Sequence, residues 1–270
     1  MTISVAWVRV VGRSTEELVF ASDSRLSFGA RWDCCPKILA FPRSDAAISF
    51  AGDTHYAYPV MLQALAAVAQ HPRSLSRGLD VRDLRGHLLK VLNDMVSLVH
   101  DLPTVTGIDN SPNTSFLFGG WSWKSSQFKI WNLHFDAHRK VFAFRPATKW
   151  AGPDQKKVLA FSGDYRTEYQ ERLIKLLRSK RKLESRGFDM EPLEVLRDML
   201  RDRSFDAIGG APQVMKVYKY ASCCPYAVFW PDMESNKVNL LGRPLLDYEQ
   251  SHYMVLDTDT MKAVKHADVA

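Results

Sequence analysis

The chain has 270 residues, of which 46% are hydrophobic and 24% charged, a composition typical of a globular protein with a sizeable core. No apolar run reaches the roughly 20 residues that a membrane helix needs, and the N-terminal MTISVAWVRV lacks the features of a secretory signal. The sequence therefore predicts a soluble, cytoplasmic protein without a membrane partner.

A net charge of +6 is compatible with a nucleic-acid partner, but the distribution of the charge argues against one. The excess is concentrated in residues 178–186 (RSKRKLESR), which contain no aromatic residue for base stacking. A solvated helix end and loop is the better interpretation, so no nucleic-acid binding is predicted.

Spacings of cysteine and histidine do not indicate a metal site. The four cysteines form two adjacent pairs, Cys34-Cys35 and Cys223-Cys224. Adjacent pairs match neither metal-binding C-x-x-C motifs nor a disulfide scaffold, so reduced, largely buried thiols are expected. His134 and His138 have the spacing of helical zinc ligands, but they lie between two strand patterns and predict a hairpin turn. Neither a metal nor another cofactor is predicted.

In chain order, β-branched and apolar runs first predict a series of strands. Residues 2–11 and 17–22 predict a hairpin, because a polar turn joins them. Further strands are predicted over residues 37–41, 46–51, 114–121, 128–134 and 141–145.

Two helices interrupt this series, over residues 58–70 and 80–102, the second with apolar residues at three- and four-residue steps. Later elements are predicted as a strand over 157–161, helices over 164–179 and 191–202, and strands over 212–221, 226–230 and 237–241. This order predicts an α+β sandwich in which two antiparallel sheets pack together and helix pairs cover their outer faces.

Thr2 is the first residue with a chemical signal. Removal of Met1 would leave Thr2 with a free α-amine beside its own hydroxyl. Because such an amine, with a pKa of about 7.7 to 8.0, is partly neutral at cellular pH, nucleophile and base can belong to one residue. Many chains carry Thr at position 2, so the signal needs support from elsewhere.

Support comes from short motifs at the ends of predicted strands. The segment VFASDSRLSFG, residues 19–29, resembles the region after the catalytic threonine in proteasome β-type subunits, including the bacterial proteasome-like proteins. These are N-terminal nucleophile hydrolases, and their four-layer αββα sandwich agrees with the predicted layer order. The resemblance extends over residues 1–220, which implies one domain there and a C-terminal extension, residues 221–270, packed on it.

The resemblance also implies roles for individual residues. Thr2 would be the nucleophile and Asp23 the carboxylate beside it. Lys37 would be the active-site lysine, whose charge lowers the pKa of the hydroxyl and of the amine. Arg25 would be the basic residue of the D-x-R motif, and Gly52 would present a main-chain N–H to the oxyanion.

In the second half, Ser162 would orient the terminal amine, and Asp206 would be the aspartate of a D-x-x-S-G-G segment. Gly209 stands where the family usually has serine, which removes one hydroxyl from the network around the amine. Candidates for the substrate pocket flank the matched residues: Leu26, Phe50 and Thr54. These three predict a neutral or apolar side chain at the cleaved position.

Several functions stay open at this point. Thr2 would attack a peptide or amide bond through an acyl-enzyme, or the chain would be a catalytically silent, proteasome-like assembly subunit. A small-molecule amidase or acylase on the same fold is a third reading. The resemblance implies a homo-oligomer, with a ring as one form, and the sequence does not specify an unfoldase or other accessory partner.

Overall fold

The computed structural model describes residues 2–12, 15–28, 30–100, 112–149, 157–220 and 222–265. Its strands are β1 (Ile3–Val11), β2 (Thr15–Ser22), β3 (Leu26–Phe28), β4 (Ala30–Trp32), β5 (Ile38–Ala40), β6 (Ala46–Gly52), β7 (Thr114–Ser122), β8 (Gln127–Asp136), β9 (Val141–Pro146), β10 (Thr148–Lys149), β11 (Val158–Gly163), β12 (Gln213–Val217), β13 (Cys223–Phe229), β14 (Val238–Leu240), β15 (Arg243–Pro244), β16 (Met254–Leu256) and β17 (Ala263–Lys265). Its helices are α1 (Thr54–Gln70), α2 (Pro72–Leu75), α3 (Val81–Val96), α4 (Arg166–Ser179) and α5 (Glu191–Arg201).

The described strands and helices form a mixed α/β fold with several sheets. The larger sheet runs in the order β10-β11-β1-β2-β12-β13-β14-β15, with β16 paired to β13 and β17 paired to β16. The second sheet runs in the order β5-β6-β7-β8-β9, and β3 and β4 form a separate hairpin. The strand pairs among the described residues are antiparallel as predicted, except that β13 and β16 pair in parallel.

Strand β1 shows why its sequence is almost continuously apolar. Side chains alternate between the two faces of a strand. Ile3, Val5 and Trp7 lie in the same core cluster as apolar residues of α4 and α5. Ala6 and Val8 lie in a different cluster, together with residues of the second sheet. Both faces of β1 are therefore buried, so neither face requires polar residues.

Helices α1 and α3 share a third core cluster with strands β6 to β9. The apolar stripe predicted for α3 is buried: Val81, Leu84, Leu88 and Leu92. The helix ends at Val96, and residues 101 and 102 of the prediction lie outside the described residues. Helix α1 begins at Thr54 rather than at residue 58, because the Asp53 carboxylate caps it by accepting from the main-chain N of His55 at 3.0 Å.

Some other expectations need correction. The strand predicted over 212–221 ends at Val217, and the β3–β4 hairpin was not predicted at all. Residues 222–265 continue the larger sheet, since Tyr226 in β13 pairs with Val214 in β12. Among the described residues, no helix combines the length and apolar character needed to cross a bilayer.

The basic run at residues 178–186 lies at a helix end, as predicted, and part of its charge is paired. Helix α4 ends at Ser179. Lys180 Nζ lies 2.5 Å from a carboxylate oxygen of Glu194, and Lys182 Nζ lies 2.6 Å from one of Glu191. Both carboxylates belong to the first turn of α5, so the run stabilises the junction of the two helices.

Candidate active site

Thr2 and Asp23 meet because of the register of the first hairpin. Ser4 in β1 pairs with Ser22 in β2, so the residue that precedes β1 lies beside the residue that follows β2. Asp23 Oδ1 accepts from the main-chain N of Ile3 at 3.1 Å. The exposed fraction is 1% for Thr2 and 0% for Asp23, so the two side chains meet in a buried site.

Lys37 reaches the same place from the segment that precedes the second sheet. Its Nζ donates to Thr2 Oγ1 at 2.8 Å and to Asp23 Oδ1 at 2.8 Å. Lys37 is fully buried, and this burial lowers its pKa, while the charge of Asp23 acts in the opposite direction. The ammonium is thus placed directly against the hydroxyl oxygen that it would activate.

The buried Asp23 carboxylate is satisfied by further donors. Its Oδ2 accepts from the main-chain N of Arg25 at 3.1 Å and from that of Gly209 at 3.2 Å. A carboxylate away from water is costly unless its oxygens are hydrogen-bonded. The backbone around residue 209 therefore contributes to holding the Lys37–Asp23 pair in place.

Asp164 is a site residue that the sequence reasoning missed. Its Oδ2 accepts from the main-chain N of Thr2 at 2.8 Å, and its own N donates to Thr2 O at 2.9 Å. Gly163 permits this approach, because its φ is +111° and a Cβ there would lie 1.9 Å from Thr2 O. One sequence feature could have pointed to Asp164: it directly follows Ser162-Gly163, the pair that resembles the serine-glycine step of the family.

Ser162 and Asp206 lie in different surroundings. The Ser162 hydroxyl shares a hydrogen bond with the Ser115 hydroxyl of β7, which links the two sheets. Asp206 is exposed, and its Oδ1 accepts from the hydroxyl of Tyr165 at 3.3 Å. The carboxylate at the main-chain N of Thr2 is that of Asp164, and the roles expected of Ser162 and Asp206 stay predictions.

Arg25 explains the glycine at position 209. Its guanidinium forms a two-pronged pair with Asp33 at 2.6 and 2.7 Å and donates to the main-chain O of Asp206 at 2.8 Å. The hydrogen bonds with Arg25 lower the pKa of Asp33. A Cβ at Gly209 would lie 2.4 Å from Arg25 Cζ, so a serine side chain and this arginine position exclude each other.

Gly52, the last residue of β6, has no room for a side chain. Its φ is +107°, and a Cβ would lie 2.1 Å from the main-chain O of Asn113. Glycine is thus required by the backbone of the described neighbours, independently of any substrate. Its role toward an oxyanion stays a prediction.

The three pocket candidates differ in burial. Leu26 and Thr54 are half-buried, and Leu26 packs against the core cluster under α1. Phe50 is fully buried, with its ring centroid 5.2 Å from that of Tyr58. Phe50 therefore is a core residue that supports the site from behind and does not line an open pocket.

Among the described residues, no group of three or more His, Cys, Asp or Glu is arranged to hold a metal ion. His134 lies in β8, and His138 lies in the turn after it. The four cysteines are free thiols, and burial raises the pKa of Cys223 to about 12. Cys34 is exposed, which departs from the expected burial.

Several solved structures of Anbu proteins are similar to this chain. The chain matches Anbu (ancestral beta-subunit) from Yersinia bercovieri with a TM-score of 0.55 and 17% identity, over 80% of this chain and 81% of that one. It matches the helical assembly of the Anbu complex from Pseudomonas aeruginosa with a TM-score of 0.58 and 16% identity, over 87% and 89%. The chain has the fold of the Anbu proteins. A Gly-1 mutant of Anbu from Hyphomicrobium sp. strain MC1 is similar as well, with a TM-score of 0.53 and 16% identity over 83% and 85%.

These matches correct the family expected from the sequence. The expectation of proteasome β-type subunits was wrong, because the similar structures are those of Anbu, a specific group among the proteasome-like proteins. The broader expectation of a bacterial proteasome-like fold is consistent with the Anbu matches, which concern the fold. No protein-family model matches the chain, and no curated protein matches it in sequence.

Proposed function

We propose that this chain hydrolyses peptide or amide bonds with Thr2 as the nucleophile, after removal of Met1. One observation carries the proposal: Lys37 Nζ lies 2.8 Å from both Thr2 Oγ1 and Asp23 Oδ1, and all three residues are buried. A buried ammonium at hydrogen-bond distance from a hydroxyl stabilises the alkoxide that forms on attack. Lys37 joins the Thr2 hydroxyl to the Asp23 carboxylate in a buried place, which favours a reactive site over a surface ion pair.

The proposed reaction starts with proton transfer from the Thr2 hydroxyl to the terminal amine. The hydroxyl oxygen then attacks the substrate carbonyl carbon, and the tetrahedral intermediate collapses to an acyl-enzyme ester when the protonated amine gives its proton to the leaving amine. Water, deprotonated by the same amine, releases the acid product. The Gly52 N–H is the proposed donor to the oxyanion.

Two charges would set the pKa of the terminal amine. Lys37 lowers that pKa by repulsion, whereas Asp164, 2.8 Å from the Thr2 nitrogen, raises it and fixes its direction. The amine would therefore be oriented by Asp164 for its role as a base. In this proposal Asp164 shares the orienting role that the resemblance gave to Ser162.

A silent assembly subunit is the second candidate, and one observation favours it. Gly209 lacks the hydroxyl expected there, and the Arg25 guanidinium lies in its place. The complete Thr2, Asp23 and Lys37 arrangement supports the enzyme more strongly, because a buried lysine and aspartate are costly to maintain without a use.

The three core clusters support a four-layer arrangement, with α1 and α3 outside the second sheet and α4 and α5 outside the larger one. In this proposal residues 1–220 form the catalytic domain and residues 221–270 its C-terminal extension, of which residues 222–265 continue the larger sheet. Because the Pseudomonas aeruginosa Anbu complex is a helical assembly, we also propose that this chain forms a homo-oligomer.

Intact mass of the chain, expressed without an N-terminal tag, tests the proposal. We expect loss of Met1 and a single adduct with a peptide epoxyketone, whose two reactive groups require the hydroxyl and the amine of one terminal threonine. A Thr2→Ala chain is the matched control and should give no adduct. Retention of Met1 in the folded protein, or an equal adduct with Thr2→Ala, would rule the proposal out. Peptides and small amides, assayed side by side, then distinguish a peptidase from a small-molecule amidase.

A further inference from the structure

Gln213, the first residue of β12, has a fully buried carboxamide. Its Oε1 accepts from the main-chain N of Lys37 at 2.8 Å. Its Nε2 lies 2.7 Å from the main-chain O of Cys35, 2.9 Å from Ser24 Oγ and 3.3 Å from the main-chain O of Asp23. The carboxamide is thus surrounded by the two segments that carry the Lys37–Asp23 pair.

These two segments belong to different sheets. Asp23 and Ser24 follow β2 of the larger sheet, and residues 35–37 precede β5 of the second sheet. Cys35 N donates to Ser24 O at 3.1 Å, which is one direct link between the segments. Gln213 adds a second link, because its carbonyl end holds the lysine segment while its amino end is shared among acceptors on both segments.

We propose that Gln213 is a positioning residue of the Thr2 site, which fixes the backbone of Lys37 so that the ammonium contacts Thr2 Oγ1 and Asp23 Oδ1 together. This inference rests on the function proposed above. A lysine side chain has a flexible four-carbon stem, so a small shift of its backbone moves the ammonium relative to both oxygens. Misplacement by about 1 Å can reduce a rate about 100-fold.

The chemistry of glutamine fits this position better than its near relatives do. Asparagine is one methylene shorter and would not span the distance from Lys37 N to Cys35 O. Glutamate keeps the length and the acceptor, but it has no N–H to donate to the carbonyl oxygens of Cys35 and Asp23. Both substitutions would therefore release the lysine segment, by different means.

The test compares Gln213→Asn and Gln213→Glu with a matched control, Lys216→Gln. Lys216 is 5% exposed on the same strand, and it pairs with Glu17 at 3.0 Å, away from Thr2. Each chain is treated with the same peptide epoxyketone, and the rate of adduct formation at Thr2 is followed by intact mass across the pH range in which a terminal amine titrates. Thermal unfolding gives the stability of each variant.

We expect both Gln213 variants to form the adduct about 10- to 100-fold more slowly than the wild type. The midpoint of the acidic limb should also move to higher pH, because a more distant ammonium depresses the pKa of the amine less. Lys216→Gln should lose stability without a change of midpoint. The pH midpoint separates positioning from a general loss of folding, which would leave it unmoved.

An unchanged rate and midpoint in folded Gln213→Asn would overturn the inference while the proposed function stands. The same conclusion follows if the Gln213 variants lose only stability, as the control does. A wild-type chain that forms no adduct overturns both proposals. Should Gln213→Asn not fold, Gln213→Glu decides, because it keeps the side-chain volume of glutamine.

Discussion

The guanidinium of Arg25 lies where a side chain at residue 209 would have to lie, with Cζ 2.4 Å from an ideal Cβ on Gly209. The arginine is held there by Asp33, and the main-chain N of Gly209 in turn donates to the Asp23 carboxylate. Gly209, whose missing side chain leaves room for Arg25, is therefore connected to the charge pair of the site through its own backbone.

Gly209→Ser should destabilise the protein by about 1–3 kcal/mol, the usual cost of overpacking. Adding Arg25→Ala to Gly209→Ser should recover part of that loss, since the space then becomes free. Urea unfolding of the wild type, both single variants and the double variant gives the coupling energy. Strictly additive effects would show that the two residues do not compete for space.

Lys37→Met should abolish reaction at Thr2 and destabilise the fold by about 3–5 kcal/mol, because it leaves the buried Asp23 carboxylate without its counter-charge. The double variant Lys37→Met with Asp23→Asn removes both charges, so its stability should recover while activity stays lost. Denaturant unfolding and the epoxyketone adduct measure the two effects separately. Recovery of adduct formation in the double variant would contradict the assigned role of Lys37.

The pH dependence should reveal the buried lysine. Burial lowers the pKa of Lys37 from the ordinary 10.5, so the ammonium is lost at a lower pH than in a solvated lysine. The rate at Thr2 should therefore fall on the alkaline side below pH 10.5. Between the folded and unfolded pKa values the unfolded chain binds more protons at this residue, so its contribution to stability becomes more favourable as pH rises. Rate–pH profiles of the wild type and Lys37→Arg, which keeps its charge, check the first effect.

Gly163→Ala should prevent formation of the site. The substitution combines a φ of +111° with a Cβ that would lie 1.9 Å from Thr2 O, so the backbone of Thr2 or of residue 163 must move. Gly12→Ala is the matched control, because its φ is +62° and a Cβ there meets no heavy atom within 4 Å. We expect Gly12→Ala to cost about 1 kcal/mol and to keep full reactivity. Equal adduct rates in the two variants would show that the Gly163 contact is not needed.

Much of the local structure could be predicted from the sequence, because the signals are short-range. The apolar runs of β1 and β2 and the stripe of α3 depend on alternation and helical periodicity, which a single segment displays. The hairpin β3–β4 has no such pattern, since Arg31 and Trp32 are both exposed. Within the described part of the chain these two strands pair with each other and join neither large sheet, so no alternating buried face marks β4 in the sequence.

The candidate site also has a part that short-range patterns predict and a part that they do not. The hairpin that brings Thr2 beside Asp23 is local and predictable, whereas the roles of Thr2, Asp23 and Lys37 come from the resemblance and stay predictions. Only the tertiary structure revealed Asp164, because nothing in the sequence shows that the chain turns it toward the main-chain N of Thr2. The same holds for Gln213, whose four acceptor and donor partners come from segments about 180 residues away in the chain.

The sequence by itself determined most of the strands and the main helices, because periodicity is a property of the chain alone, and its resemblance to a known family pointed to Thr2 as the candidate nucleophile. The tertiary structure decided which charges surround that residue. Lys37 comes from a segment that leads into the second sheet, whereas Asp23 follows a strand of the larger one, and packing of the sheets sets their distance. It also decided what lies beside Gly209, because only the folded chain brings the Arg25 guanidinium into that space.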